Sequence, residues 1–279
     1  MDLKGAFEAI GEMVKENNPP QEGDYIKDGL LHCGKCHTPK QGVYKFPWGD
    51  MKQYCLCQCA VEAEEKEQAE RKKAERLQRI EKARDEAFPD AEMKGWTLEK
   101  DDHTNERASK IMRRYIEIFD DMKRDGKGLL LYGEVGTGKT FCAASVANAL
   151  IDREYTCLLT SLTRLINHIS GIRDGKQEFI DGLNRYDLLI VDDFATERGT
   201  EYADEMVYNI INSRYTAGLP LIVTTNLTAE EIKKPSDIRK ERIYSRLWEM
   251  CVPVKIEGAN RRKEDLKQNF GKYKDLLGI

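Results

Sequence analysis

The octapeptide Gly133-Glu134-Val135-Gly136-Thr137-Gly138-Lys139-Thr140 constrains the fold of this chain more than any other stretch. It follows the apolar run at residues 128–132 and precedes a run of helix formers at 141–150. Glycines at this spacing permit positive φ and let successive backbone N–H groups wrap a polyphosphate at the positive end of a helix. Lys139 can then reach β and γ phosphate oxygens, and the Thr140 hydroxyl can ligate Mg2+. Such a loop works only between a strand and a helix, so at least one strand-loop-helix unit is required.

The surrounding pattern extends that unit into a sheet. Helical periodicity at residues 105–122, 140–151, 162–172 and 202–217 alternates with continuous apolar runs at 128–132, 156–160, 188–191 and 221–225. Apolar strands separated by helices predict a parallel sheet covered on both faces, and thus an α/β fold. The third run ends in Asp192-Asp193 and the fourth in Asn226. Ligands of open α/β sheets sit at the carboxyl ends of the strands. Asp192 is therefore placed to complete a Mg2+ shell, and Asp193 to orient or deprotonate an attacking water. Asn226 can hydrogen-bond that water or the γ-phosphate. Arg242 and Arg246 share one helix face at i,i+4, and Arg261-Arg262 follow an expected strand at 252–256. Phosphoryl transfer develops charge that a guanidinium stabilises.

Five of the eight cysteines, Cys33, Cys36, Cys55, Cys57 and Cys59, fall within 27 residues. Clustered cysteines in an intracellular chain read as metal ligands. Cys33-x2-Cys36 supplies one pair, and Cys57-x-Cys59 the other, with Cys55 as the alternative; this spacing fits Zn2+. Choosing Cys57 and Cys59 leaves the last ligand at the start of the next helix. His32 and His37 stand close enough to substitute as ligands but read as bystanders. Residues 28–60 are too short to fold without such a staple, and residues 1–27 contribute one weakly amphipathic helical stretch ended by Asn17-Asn18-Pro19-Pro20. Cys142, Cys157 and Cys251 read as small buried hydrophobes.

Lys+Arg total 45 against 49 Asp+Glu, which excludes a polybasic, histone-like chain, although the 34% of charged residues exceeds the roughly 25% of average domains. Residues 61–86 locate much of the excess: nine acids (eight Glu and Asp85) and eight bases, among strong helix formers with opposite charges at i,i+3 and i,i+4. They predict an exposed connecting helix. No run of 18 apolar residues occurs and the first residues lack a signal-peptide pattern, so the expectation is a cytoplasmic protein without a membrane partner.

Together, the Gly-Glu-Val-Gly-Thr-Gly-Lys-Thr loop (Walker A), Leu-Leu-Ile-Val-Asp-Asp-Phe (Walker B), Thr-Thr-Asn-Leu, Arg-Ile-Tyr-Ser-Arg-Leu and Gly-Ala-Asn-Arg-Arg resemble the DnaC/DnaI group of AAA+ ATPases. These are helicase loaders of replication, with the transposition helper IstB as a cousin. The resemblance implies a three-layer αβα sandwich over residues 88–279, a zinc-binding, helicase-interacting domain at 1–60 and a helical linker at 61–87. It implies ATP, Mg2+ and Zn2+ as cofactors. It makes residues 133–140 with Asp192 the nucleotide ligands, Asp193 the second Walker B acid and Asn226 sensor 1. Arg246 becomes the arginine finger acting in trans, with Arg242 competing, and Arg262 becomes sensor 2 in cis, with Arg261 as its alternative. The implied partners are a hexameric replicative helicase of the DnaB/DnaC type, single-stranded DNA and further copies of the chain. The clusters Lys233-Lys234, Arg239-Lys240 and Arg261-Arg262-Lys263 are candidates to line a DNA groove. Rival readings are a transposition helper and an adaptor in which hydrolysis is dispensable. A GTPase is disfavoured because Asn226 is followed by Leu-Thr-Ala and not by the Lys-x-Asp that reads guanine, and a small-molecule kinase leaves the cysteine module unexplained.

Overall fold

The structure, a computed structural model, describes residues 3–47, 49–101, 105–195, 200–235, 237–261, 273–274 and 276–277. It divides into two compact units, residues 1–78 and 79–279. The expected boundaries at 60 and 87 fall on either side of that division, because the connecting helix belongs partly to each unit.

The first unit opens with α1 (Leu3–Asn17) and continues through two antiparallel hairpins, β1 (Tyr25–Lys27) with β2 (Leu30–His32) and β3 (Gln41–Phe46) with β4 (Gly49–Tyr54). The hairpins were not expected from the sequence. α1 rests on the second of them: Phe7 meets Tyr44 and Phe46 edge-on at 5.2 and 4.8 Å, and Gln53 Nε2 donates to Phe7 O. Asp24 braces the turn before β1. It accepts the backbone N–H groups of Gln21 and Gly34 and the ammonium of Lys40, which is 1% exposed and also donates to Pro19 O. These donors, the Gln21 N–H foremost, hold the Asp24 carboxyl down at about 2. From Gln58 to Ala87 runs α2, a single 30-residue helix with exposed ion pairs such as Arg71–Glu75 and Lys82–Glu86. It realises the predicted charged helix, one turn longer at its start.

The second unit takes up the last turns of α2, where Ile80 and Ala87 are buried and Arg84 pairs with Asp152. Then come α3 (Glu106–Glu117), α4 (Phe119–Arg124), β5 (Gly128–Tyr132), α5 (Lys139–Asp152), β6 (Cys157–Ser161), α6 (Leu162–Gly171), α7 (Lys176–Gly182), β7 (Leu188–Phe194), α8 (Glu201–Thr216), β8 (Leu221–Thr225), α9 (Ala229–Lys233), α10 (Ile238–Met250) and β9 (Cys251–Lys255). The helix expected over 105–122 breaks at Ile118. Asp120 and Asp121 then fall in the first turn of α4, where the helix dipole favours them, and Lys123 and Arg124 in its last.

The five strands are all parallel in the order β6-β7-β8-β5-β9. Alternate strand residues feed two cores, as the pleat requires. Leu129, Leu131, Ile190 and Ile222 pack against α3 and α5. Leu130, Leu189, Val191, Leu221 and Val223 pack against α6, α8 and α10. Helices on both faces make the predicted three-layer αβα sandwich. The single cysteines Cys142, Cys157 and Cys251 are buried in these cores, and burial raises the Cys157 thiol and lifts that of Cys251 to about 12.

Arg214 is the largest fully buried side chain of the described residues. Its two terminal nitrogens donate to four backbone carbonyls, those of Leu183, Tyr186, Asp187 and Pro220, at 2.8–3.3 Å. Burial draws the guanidinium down to about 10, still charged at neutral pH. Arg214→Met strips four buried carbonyls of their donors, and each such loss costs about 1–3 kcal/mol before relaxation. Urea unfolding of the variant should show a stability lower by about 3 kcal/mol.

Candidate nucleotide-binding and metal sites

The loop between β5 and α5 turns twice through left-handed glycines, Gly136 (φ +82) and Gly138 (φ +94). A Cβ on Gly136 would run into the side chain of Asn260 as well as strain the backbone. Lys139 is buried and folds back over the loop, its Nζ donating to Gly133 O at 3.0 Å and Glu134 O at 2.7 Å. Thr137 Oγ1 closes the loop onto Glu134 O.

Asp192 and Asp193 do not stand at the end of β7 but inside it, at a β-bulge between Val191 and Phe194. The bulge sends the two carboxylates into different environments, since a bulge re-aims side chains. Asp192 faces the loop: Oδ2 accepts the Thr140 hydroxyl at 3.2 Å, and Oδ1 accepts that of Thr224 on the neighbouring strand at 2.6 Å. Burial raises its pKa against the pull of those two hydroxyls. Asp193 is exposed, in the left-handed region at φ +53, with its N–H donating to Thr224 Oγ1. Thr224 thus anchors both acids, a role sequence reasoning missed because its hydroxyl looks like one more strand threonine.

A cavity of about 380 Å³ opens over the loop, lined by Gly136, Gly138, Lys139, Thr140, Asp193, Asn226 and Arg261 and, on one side, by Trp96 and Phe141. The two aromatic rings lie 5.9 Å apart and tilted. Trp96 was not a sequence candidate. It is held there by Asn148 of α5, whose Nδ2 donates to the carbonyls of Met93 and Trp96, both at 2.8 Å. Thr140 and Asp192 offer hard oxygens 3.2 Å apart, close to the separation of about 3 Å between adjacent ligands of octahedral Mg2+. The donor set fits that ion.

The arginines separate. Arg261 lines the cavity, its N–H donating to Gly136 O, while Arg262 lies outside the described residues. Arg246 stacks on its own unit: its guanidinium lies 4.7 Å over Tyr208 and 5.6 Å over Tyr215, with Nε buried and unpartnered. Arg242, one turn earlier, is exposed.

In the first unit, the Sγ atoms of Cys33, Cys36, Cys57 and Cys59 lie within 4.8 Å of one another. Cys59 is 3.6 Å from Cys33 and 3.5 Å from Cys57. A tetrahedron with Zn–S of about 2.3 Å needs sulfurs about 3.8 Å apart, so the cluster fits Zn2+. Backbone N–H groups of Cys36 and Lys35 lower the Cys33 thiol, and the Thr38 hydroxyl leads the causes that bring Cys36 down to about 5. Cys55 points elsewhere, towards Pro39 O. His32 stacks on Tyr25, His37 lies tilted beside it, and neither is part of the cluster.

The phosphate loop after β5, the paired acids on β7 and the strand order give the second unit the fold of a P-loop nucleotide-binding domain. The chain belongs to the family of IstB-like ATP binding proteins, whose match spans residues 60–269. It is 27% identical over 149 residues to the replicative helicase loader DnaI of Bacillus subtilis strain 168, covering 49% of this chain and 48% of that one. It is 25% identical over 266 residues to the phage-like element PBSX protein XkdC of the same organism, covering 89% of this chain and 91% of that one. The chain therefore spans about half the length of DnaI and most of XkdC. The crystal structure of DnaI shares the fold, with a TM-score of 0.52 at 23% identity over 61% of this chain and 96% of that chain. No helix among the described residues is long and apolar enough to cross a membrane.

Proposed function

We propose that this chain is an ATP-dependent loader of a hexameric replicative helicase, acting in the cytoplasm at the initiation of DNA replication. The observation that carries the reading is the convergence of Lys139, Thr140, Asp193, Asn226 and Arg261 on one cavity, in a chain homologous to a replicative helicase loader.

On this reading the N–H groups of residues 133–140 cradle the phosphates of ATP, and Lys139 exchanges the carbonyls of Gly133 and Glu134 for phosphate oxygens. Trp96 and Phe141 give the base an aromatic wall. Thr140 and Asp192 would hold Mg2+, which when bound neutralises phosphate charge. Asp193 orients or deprotonates water, and Asn226 hydrogen-bonds that water or the γ-phosphate. Arg261, the alternative to Arg262 for the cis arginine, lines the cavity and is placed for that role. The trans arginine comes from the Arg242/Arg246 pair of a neighbouring copy. Arg242 is free of the tyrosine stacking that holds Arg246, and exposure suits a residue that must reach another subunit. The four-cysteine unit, stapled by Zn2+, grips the helicase while the ATPase unit binds single-stranded DNA.

The test is a pull-down of the hexameric helicase by the full-length chain, with ATP and ADP compared. Capture is expected with ATP and should fall on hydrolysis. Absence of capture in both nucleotide states refutes the loader reading, and capture of a transposase with duplex DNA instead would point to the transposition rival.

A further inference from the structure

Arg261 enters the cavity already paired. Its NH2 nitrogen donates to Asp101 Oδ1 at 3.4 Å, and the other oxygen of Asp101 accepts the hydroxyl of Ser109 in α3. The Asp101 side chain is 6% exposed and that of Arg261 27%, so the carboxylate is shielded while the guanidinium reaches the cavity. A second tie runs parallel to it. Asn105 caps α3 by accepting the Ala108 N–H and donates its Nδ2 to Glu257 O at 2.7 Å. The segment from Glu257 to Arg261 is thus fastened to the head of α3, and the Arg261 N–H fastens it to the phosphate loop at Gly136 O. The Arg261 guanidinium also lies 5.7 Å over the ring of Phe141.

We propose that Asp101 is a positioning residue acting through Arg261: it holds the guanidinium at the cavity as its counter-ion and yields it to phosphate when nucleotide binds. The proposal rests on the reading of the cavity as the ATP site. A single ion pair at 3.4 Å is long, whereas a phosphate accepts a guanidinium through two parallel short bonds. Exchange is therefore downhill in contact geometry. Asp101 is not stranded by it, because the Ser109 hydroxyl still donates to its carboxylate. The pair nevertheless offsets part of each binding event, and the head of α3 loses one of its two ties to the 257–261 segment when phosphate takes over.

Calorimetric titration of the full-length chain with Mg-ATP tests this. Asp101→Asn removes the competing charge and keeps the shape, so ATP should bind about three-fold more tightly, the scale of a partly exposed ion pair. In an Arg261→Ala background the same substitution should change nothing. Asp101→Glu keeps the charge and should return the parental affinity. A gain in affinity is a readout that mere loss of structure would not produce, and Asp101→Ser serves if the Asn variant does not fold. Unchanged or weaker binding by Asp101→Asn overturns the proposal, as does an equal gain in both backgrounds. Unaltered ATP binding by Arg261→Ala would instead remove the cis-arginine reading beneath it.

Discussion

Lys139→Ala is expected to lower ATP affinity by at least about 100-fold while leaving the fold in place. Two charge-assisted hydrogen bonds to phosphate oxygens, each worth about 1.5–3 kcal/mol, vanish with the ammonium, which supports a loss of that size. The fold loses less. Lys139 Nζ donates there to the carbonyls of Gly133 and Glu134, at the mouth of an open cavity where water can take over as donor. Quenching of Trp96 fluorescence on titration with ATP measures the affinity directly, because Trp96 lines the same cavity. Parental affinity in the variant would disprove the assignment of the loop.

Removal of zinc should unfold the first unit while the second keeps its melting transition. Short strands of three and six residues with half-exposed faces give the first unit little core, and binding energies of about 10–16 kcal/mol for structural zinc exceed what a unit of this size gains from apolar burial. Chelation, or Cys36→Ser, should therefore abolish the β signal of residues 25–54 and make that segment protease-sensitive. One zinc per chain by atomic emission, lost on chelation together with structure, is the expected result. A first unit that stays folded and metal-free under chelation would contradict it. The buried Lys40–Asp24 pair would then be the main remaining brace, and an ion pair alone is weak support for a fold.

The parts of the molecule that announced themselves in the sequence are those whose chemistry is local. The phosphate loop is eight consecutive residues, the parallel strands are short unbroken apolar runs, and the charged helix repeats its pattern over seven turns. The choice of Cys57 and Cys59 over Cys55 also followed from local geometry, with Cys59 in the first turn of α2. What stayed hidden depends on contacts made at a distance. Arg214 reads as a solvated helix residue until carbonyls 27–31 positions earlier converge on it. Asp101 gains meaning from an arginine 160 residues away, and Trp96 from an asparagine 52 residues away. The bulge at Asp192-Asp193 was invisible because two acids after an apolar run look like the end of a strand, and what extends β7 past them is pairing with β8. The hairpins of the first unit escaped for a different reason: without a buried face there is no alternation to read.

The distribution of the eight cysteines has a practical consequence for following this protein in solution. Cys142, Cys157 and Cys251 are sealed in the two cores of the second unit, and the thiols of Cys157 and Cys251 are held protonated by burial, so alkylating reagents at neutral pH meet them slowly. The four clustered sulfurs would be masked by a bound metal and uncovered as it leaves. Beyond the single alkylation open to partly exposed Cys55, mass shifts after brief alkylation of the intact chain would then count metal-free molecules one by one, and a partner that stabilises the first unit would register as protection of those four positions without a label, a tag or a substitution.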